Sequence, residues 1–342
     1  MQTVTIPTMQ AMIKHIGLGH RQPLMFWGQP GCGKSEGVAQ AAEEAGAQLV
    51  DIRLSQYDSV DMRGIPVPMA DGQTAWYAPN TMPFKGNSRF DHDRPIFLFL
   101  DEINAASPAT AAVAYQLVND MRVGEHELMD NVIVIAAGNR EGDRGVTNRM
   151  PTPLANRFTH AEVGIDVDAW CYWAQASGLP GIGLAFMQFR KPLLTTFDPA
   201  KPDKAFATPR TWTKALRYFA DAGVPDDVKQ AAMAGAIGDG PAAEFWGFVD
   251  VWHKMIPMAE IERNPSGVKL PEEAGMRYAV TIAVSGTMTP ENVAPFSIFL
   301  KRMDPEFGVL AWQLAMKRDI ALCGTKEFVD FAKQYRAIFA AS

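Results

Sequence analysis

Cysteine is scarce: three in 342 residues, Cys32, Cys171 and Cys323, widely spaced, with no CxxC pair and no Cys/His cluster. Neither a disulfide framework nor a structural zinc site is indicated, and reduced thiols are expected. Positive charge is not in excess either. There are 32 Lys and Arg against 38 Asp and Glu, a formal net charge of -6, so the electrostatic footprint of a protein that binds nucleic acid or an anionic membrane is missing. No Lys/Arg-rich tract supplies it locally. No apolar run reaches the roughly 18 residues of a membrane-crossing helix, and residues 1–10 lack the basic-then-apolar order of a signal peptide. The expectation is a cytoplasmic protein with no membrane and no nucleic-acid partner. Internal repeats and low-complexity tracts are also missing. The chain does have 47% apolar residues, which excludes disorder as its main state, and a length that fits about two domains.

The first half alternates short apolar runs with helical stretches, the pattern of a parallel sheet covered by helices on both faces. Candidate strands are 24–27, 48–53, 96–100, 132–137 and 159–163. The third is apolar without alternation, as a strand buried on both faces requires. Two hairpins interrupt this rhythm. One has strands 65–69 and 73–77 around a two-residue turn at Asp71-Gly72, with Pro66 and Pro68 confining its first strand to an edge. The other spans 121–128, centred on Gly124. After about residue 166 the strand signal fades and the sequence reads as helices. Phe245, Phe248, Val249 and Trp252 share one helical face, as do Phe328, Phe331, Ala332 and Tyr335, and both stripes read as packing faces. Ser107-Pro108 and Thr289-Pro290 read as N-cap and first-turn pairs, and 256–271 as an extended excursion. The expected domains are 1–165, an α/β domain, and 166–342, all helical.

Gly28-Gln29-Pro30-Gly31-Cys32-Gly33-Lys34-Ser35 matches GxxxxGK[ST], after one candidate strand and before a helix from Lys34. At average composition such a match arises by chance in about one chain of this length in a hundred. The glycines let the backbone wrap a phosphate and the loop N–H groups point at negative charge. Lys34 reaches the β/γ oxygens of ATP, and Ser35 ligates Mg²⁺. Cys32 lies within the loop, where a thiol can be activated, although the loop works through its backbone. Asp101 and Glu102 end the buried strand, at the edge where such sheets bind ligands. Asp101 would hold Mg²⁺ through water and Glu102 would polarise a water for in-line attack. Asn139, after the strand 132–137, could aim at that water. The six histidines make no metal spacing.

Leu154-Ala155-Asn156-Arg157-Phe158 places an arginine before the strand at Thr159, and Thr208-Pro209-Arg210 places another at a helix start. With a Walker A motif at 28–35, a Walker B motif at 96–102, a sensor-1 asparagine at Asn139, an arginine finger at Arg157 and a sensor-2 arginine at Arg210, the chain resembles an AAA+ ATPase. Asp61-Met62-Arg63-Gly64-Ile65-Pro66, Arg122-Val123-Gly124-Glu125-His126, Asn148-Arg149-Met150-Pro151 and Glu244-Phe245 make it similar to the MoxR group, which includes the CbbQ and NorQ types. The resemblance implies a P-loop AAA+ core with sheet order 5-1-4-3-2 and inserted β-hairpins, followed by a helical lid. It implies Mg²⁺-dependent ATP hydrolysis by Glu102, Asn139, Arg157 and Arg210, with Arg157 acting on a neighbouring subunit's ATP. Arg144 and Arg149 are in the same loop and could share that work. The implied assembly is a homo-oligomer, a hexameric ring. It would remodel or activate a protein partner carrying a von Willebrand factor A domain. Trp76 and Tyr77 could grip that partner or pack their hairpin onto its own domain. A nucleic-acid motor or loader would need the basic footprint this chain lacks. A nucleotide-gated scaffold without turnover would not need the full set of catalytic residues.

Overall fold

A computed structural model describes every residue except 141, 144–147, 149, 202 and 342. The chain divides into two compact units, Met1–Asp166 and Val167–Ser342.

The first unit is built on a six-stranded, all-parallel sheet. Its strands are β1 (Thr3–Val4), β2 (Leu24–Trp27), β3 (Gln48–Arg53), β6 (Ile96–Asp101), β9 (Val132–Gly138) and β10 (Thr159–Val163), in the order β1-β10-β2-β9-β6-β3. The five strands read from sequence fall in the expected order 5-1-4-3-2. Two-residue β1, which adds a sixth strand beside β10, carries too little pattern to be read. Alternate residues of β6 face opposite ways. Phe97 and Phe99 join Leu24, Phe26 and Ile135 under α1 (Ile6–Met12) and α2 (Lys34–Glu44), through Met9, Val38 and Ala41. Ile96, Leu98 and Leu100 join Met25, Val134 and Ala136 under α4 (Pro108–Asp120), through Val113 and Leu117. Each such side chain contributes about 1.5–3 kcal/mol by leaving water, so β6 and β9 form the rigid centre of the unit. Ser107 caps α4 by accepting from the Thr110 N–H, as its sequence predicts.

Between β3 and β6 lie α3 (Ser59–Arg63) and an antiparallel pair, β4 (Ile65–Pro68) and β5 (Thr74–Tyr77), forming a sheet of its own. Its turn is longer than the two residues expected. The Met69 N–H donates to Gln73 O at 2.8 Å, leaving a three-residue loop with Gly72 at φ 79°. The second hairpin, β7 (Arg122–Val123) and β8 (His126–Glu127), precedes β9.

Among its described residues the second unit has helices and loops and no strand. Its helices are α6 (Val167–Ala176), α7 (Gly181–Phe189), α8 (Pro209–Ala220), α9 (Asp226–Ile237), α10 (Asp239–His253), α11 (Met258–Arg263), α12 (Ala274–Thr287), α13 (Val293–Leu300), α14 (Pro305–Arg318), α15 (Lys326–Gln334) and α16 (Arg336–Ala341). Phe186, Trp212 and Phe245 interlock as one aromatic cluster, with Trp312, Phe331 and Phe296 in another core. Two expectations need correction. The stretch 256–271 is not wholly extended, because α11 forms behind Pro257 and buries Ile261. Thr289-Pro290 does not open a helix. Asn292 occupies the N-cap of α13 and its Oδ1 accepts from the Thr289 N–H, which leaves Pro290 in the turn.

Candidate functional site

The phosphate loop follows β2 directly. Gly31 and Gly33 have φ of 75° and 102°, a backbone that L side chains rarely adopt, and the turn they make delivers the chain into α2 at Lys34. Gly28 is fixed by space: a Cβ there would lie 2.8 Å from Val163 O and 3.0 Å from Cys32 Sγ. Cys32 is itself buried, so its thiol packs beneath the loop. Pro30, half-buried, forms part of the same turn.

Lys34 is buried and curls back over the loop. Its Nζ donates to Gly28 O at 2.6 Å and Gln29 O at 3.2 Å, and reaches Asn139 Oδ1 at 3.4 Å. Carbonyl oxygens thus satisfy the ammonium, in the role that phosphate oxygens would take. Ser35 Oγ donates to Asp101 Oδ2 at 2.7 Å. Asp101, the buried last residue of β6, uses Oδ1 to accept from the Glu102 N–H at 2.9 Å. The carboxyl ends of β2, β6 and β9 therefore bring Lys34, Ser35, Asp101 and Asn139 together.

Glu102 leaves β6 in a left-handed conformation, φ 56° and ψ 35°, which a non-glycine residue holds only at a cost of about 1–3 kcal/mol. Its carboxylate accepts a hydrogen bond from Ser55 Oγ. Sequence reading missed Ser55. It also missed Asn104, whose Nδ2 donates to Asn139 O at 2.8 Å. A third omission is Arg140, which donates to Gln29 Oε1 at 3.1 Å and pairs with Glu162 at 3.0 Å and with Asp143. Each of the three is polar and follows a strand or a site residue, a placement the motifs themselves do not encode. Burial and the nearby Asp101 charge push the Asp51 carboxyl above its ordinary range, opposed by Arg53.

The oxygen donors suit a hard cation: a hydroxyl and a carboxylate at hydrogen-bond distance beside loop N–H groups fit Mg²⁺, which takes few protein ligands and completes its shell with water and phosphate. Among the described residues no group of three or more His, Cys, Asp or Glu could hold a metal unaided.

Arg157 lies between buried Leu154 and Phe158, its N–H donating to Leu154 O, with its own side chain exposed. Within the second unit, Arg210 is exposed in the first turn of α8, behind a Thr208–Thr211 capping box. Arg144 and Arg149 fall outside the described residues. Trp76 and Tyr77 are 39% and 57% exposed, with Ile65 at 62%, so the hairpin's aromatic residues do not bury themselves against their own unit. Trp27 Nε1 donates to His160 Nδ1 at 3.0 Å beneath the site.

A strand, phosphate loop and helix at the carboxyl edge of a parallel sheet, facing an Asp-Glu pair two strands away, define a P-loop ATPase fold. Residues 24–163, from the start of β2 to the end of β10, match the model of the ATPase family associated with various cellular activities (AAA). Among solved structures it is similar to a candidate ATPase from Cytophaga hutchinsonii at 14% identity and TM-score 0.35, over 92% of this chain and 81% of that one. It is similar to NtrX from Brucella abortus in complex with ATP at 13% and 0.40, over 97% and 67%. A RuvB mutant of Thermotoga maritima is similar at 12% and 0.38, over 77% and 79%. At such scores these likenesses leave residue roles to be read from the chain itself. No described helix is long and apolar enough to cross a membrane.

Proposed function

We propose that the chain is an AAA+ ATPase of MoxR type that hydrolyses ATP between subunits of a homo-oligomeric ring, a hexamer, and uses the motion to remodel or activate a protein partner. The observation that carries the reading is the convergence of Lys34, Ser35, Asp101 and Asn139 at one sheet edge, with Glu102 one residue beyond. Lys34 binds the β/γ-phosphates in place of the Gly28 and Gln29 carbonyls, and Asn139 holds Lys34 and faces the γ-phosphate. Glu102 turns from Ser55 to orient and polarise the attacking water. Ser35 would hold Mg²⁺ directly and Asp101 through water; bound there, the ion neutralises charge on the β/γ oxygens.

Arg157, exposed and backed by two buried residues, is the finger offered to a neighbour's ATP, and Arg210, in the first turn of α8, is the sensor-2 residue. The exposed hairpin β4–β5 meets the partner, for which a von Willebrand factor A domain is the candidate. A protein partner is favoured over nucleic acid because the net charge is -6.

The test is a pair of variants. Glu102→Gln retains ATP and loses phosphate release, and a pull-down with it recovers the partner only when ATP is present. Arg157→Ala loses turnover but keeps ATP binding, and regains activity when mixed with Lys34→Ala chains, whose arginine is intact. Full activity in Glu102→Gln removes that residue as the water-orienting group. No recovery at any mixing ratio removes the intersubunit site.

A further inference from the structure

Two strand ends of the first unit, those of β6 and β9, meet at one small junction. Immediately after Glu102 the chain makes a short 3-10 turn, Ile103–Ala105. Asn104, within it, is 5% exposed, and its Nδ2 donates to the carbonyl of Asn139. The junction is tight. A Cβ on Gly138 would lie 2.8 Å from Asn104 Oδ1, and among the described residues that oxygen has no hydrogen-bond partner. The turn carrying Glu102 and the strand carrying Asn139 are thus held together through one asparagine.

Asn148 grips the same turn from the other side. Its N–H donates to Asn104 O at 2.6 Å and its Nδ2 to Ala106 O at 2.9 Å. Asn148 is exposed, and this two-point clasp ties it to the unit. The chain then runs through Pro151, whose carbonyl accepts from the Leu154 and Ala155 N–H groups of α5 (Thr152–Ala155), to Arg157, whose N–H is held by Leu154 O. Hydrogen bonds thus tie Asn148 to the segment after Glu102, and three residues further along the chain a second set of hydrogen bonds runs from Pro151 to Arg157.

We propose that Asn148 is a positioning residue that couples the Glu102 turn of one subunit to the placement of Arg157 at its neighbour's ATP. The inference rests on the reading that Arg157 acts in trans. When Glu102 swings from Ser55 toward the attacking water, the 3-10 turn must adjust. Asn148, fastened to two of its carbonyls, carries that adjustment along the chain to α5.

The polarity of this coupling gives the test. Asn148→Ala keeps its own phosphate loop, Glu102 and Asn139, so ATP affinity stays within about twofold of the unmodified chain, while turnover falls up to about a hundredfold, as misplacement of a reacting group by about 1 Å would produce. Mixing Asn148→Ala with Lys34→Ala chains restores phosphate release, because Lys34→Ala supplies a well-placed Arg157 beside the intact site of Asn148→Ala. Asn148→Gln, which keeps the amide donor at this exposed position, recovers turnover without mixing. Unchanged turnover in Asn148→Ala overturns the proposal. So does failure of its mixture to recover when Arg157→Ala mixed with Lys34→Ala does. Failure of both mixtures removes the parent reading of a trans arginine, and this inference with it.

Discussion

Ser55 and Glu102 are hydrogen-bonded across the ends of two neighbouring strands, hydroxyl to carboxylate. The pairing of β3 with β6 sets Arg53 opposite Asp101, so two residues further on Ser55 stands beside Glu102. The carboxylate is held by a donor in the turn just after β3, and that hydrogen bond must break before Glu102 could take the water-orienting role proposed for it. Ser55→Ala is expected to raise basal phosphate release by about fivefold, the equivalent of roughly 1 kcal/mol. Steady-state assays would show it, and a fall in turnover would mean that Ser55 supports Glu102 in its work.

Lys34 spends its three donors on loop carbonyls and on Asn139. Its removal takes away charge-assisted bonds to phosphate worth about 1.5–3 kcal/mol each, so Lys34→Ala should bind ATP at least ~10-fold more weakly per bond lost. Titration of a fluorescent ATP analogue measures this directly; affinity within twofold of the unmodified chain would displace Lys34 from the phosphate site.

Asp51 offers a pH test. Its carboxyl is raised above the ordinary 3.8 by burial and by Asp101. The folded chain therefore holds that proton more tightly than the unfolded chain, and the stability this protonated group contributes is present at low pH and lost as pH rises through the carboxylate range. Asp51→Asn should be more stable than the unmodified chain at pH 7 in Mg²⁺-free buffer, with the difference closing as pH approaches 4. Chemical denaturation at several pH values checks it; a gap that widens on acidification would contradict the sign.

Gly64 closes the base of the β4–β5 hairpin with φ 85°, and a Cβ there would fall 1.9 Å from Tyr77 O. Gly64→Ala must push β5 away. The expected result is ATP binding and basal hydrolysis as before, with loss of any stimulation by, or retention of, a protein partner. Deleting 66–76 should have the same effect. Loss of ATP binding in either variant would make the hairpin part of the nucleotide unit's own structure.

Trp212 is fully buried, donates from Nε1 to Leu193 O at 2.7 Å, and packs against Phe186 and Phe245. Trp212→Ala should cost about 3–5 kcal/mol. Urea denaturation would show the loss, and a cost under about 1 kcal/mol would imply that the helical core collapses around the gap.

The phosphate loop was legible because its residues are contiguous and chemistry fixes their spacing. Strands 96–100 and 132–137 were legible because burial on both faces leaves an unbroken apolar run. Ser55 was not, since its value comes from lying across a ladder from Glu102, 47 residues away. Asn104 was equally hidden, and Asn148 stood out only as part of the Asn148-Arg149-Met150-Pro151 motif, because bonds to main-chain carbonyls leave no pattern in residue type. Thr289-Pro290 had the right local signal and lost the cap to Asn292, whose side chain reached the Thr289 N–H.

The β4–β5 hairpin is two strands thick with its side chains almost all exposed, while β6 is buried along its whole length. Their amides should therefore exchange with deuterium on widely separated timescales, the hairpin's early and those of β6 among the last. A segment so easily opened costs little to reshape, and it can fit itself to the surface of another molecule without loosening the frame that holds the nucleotide.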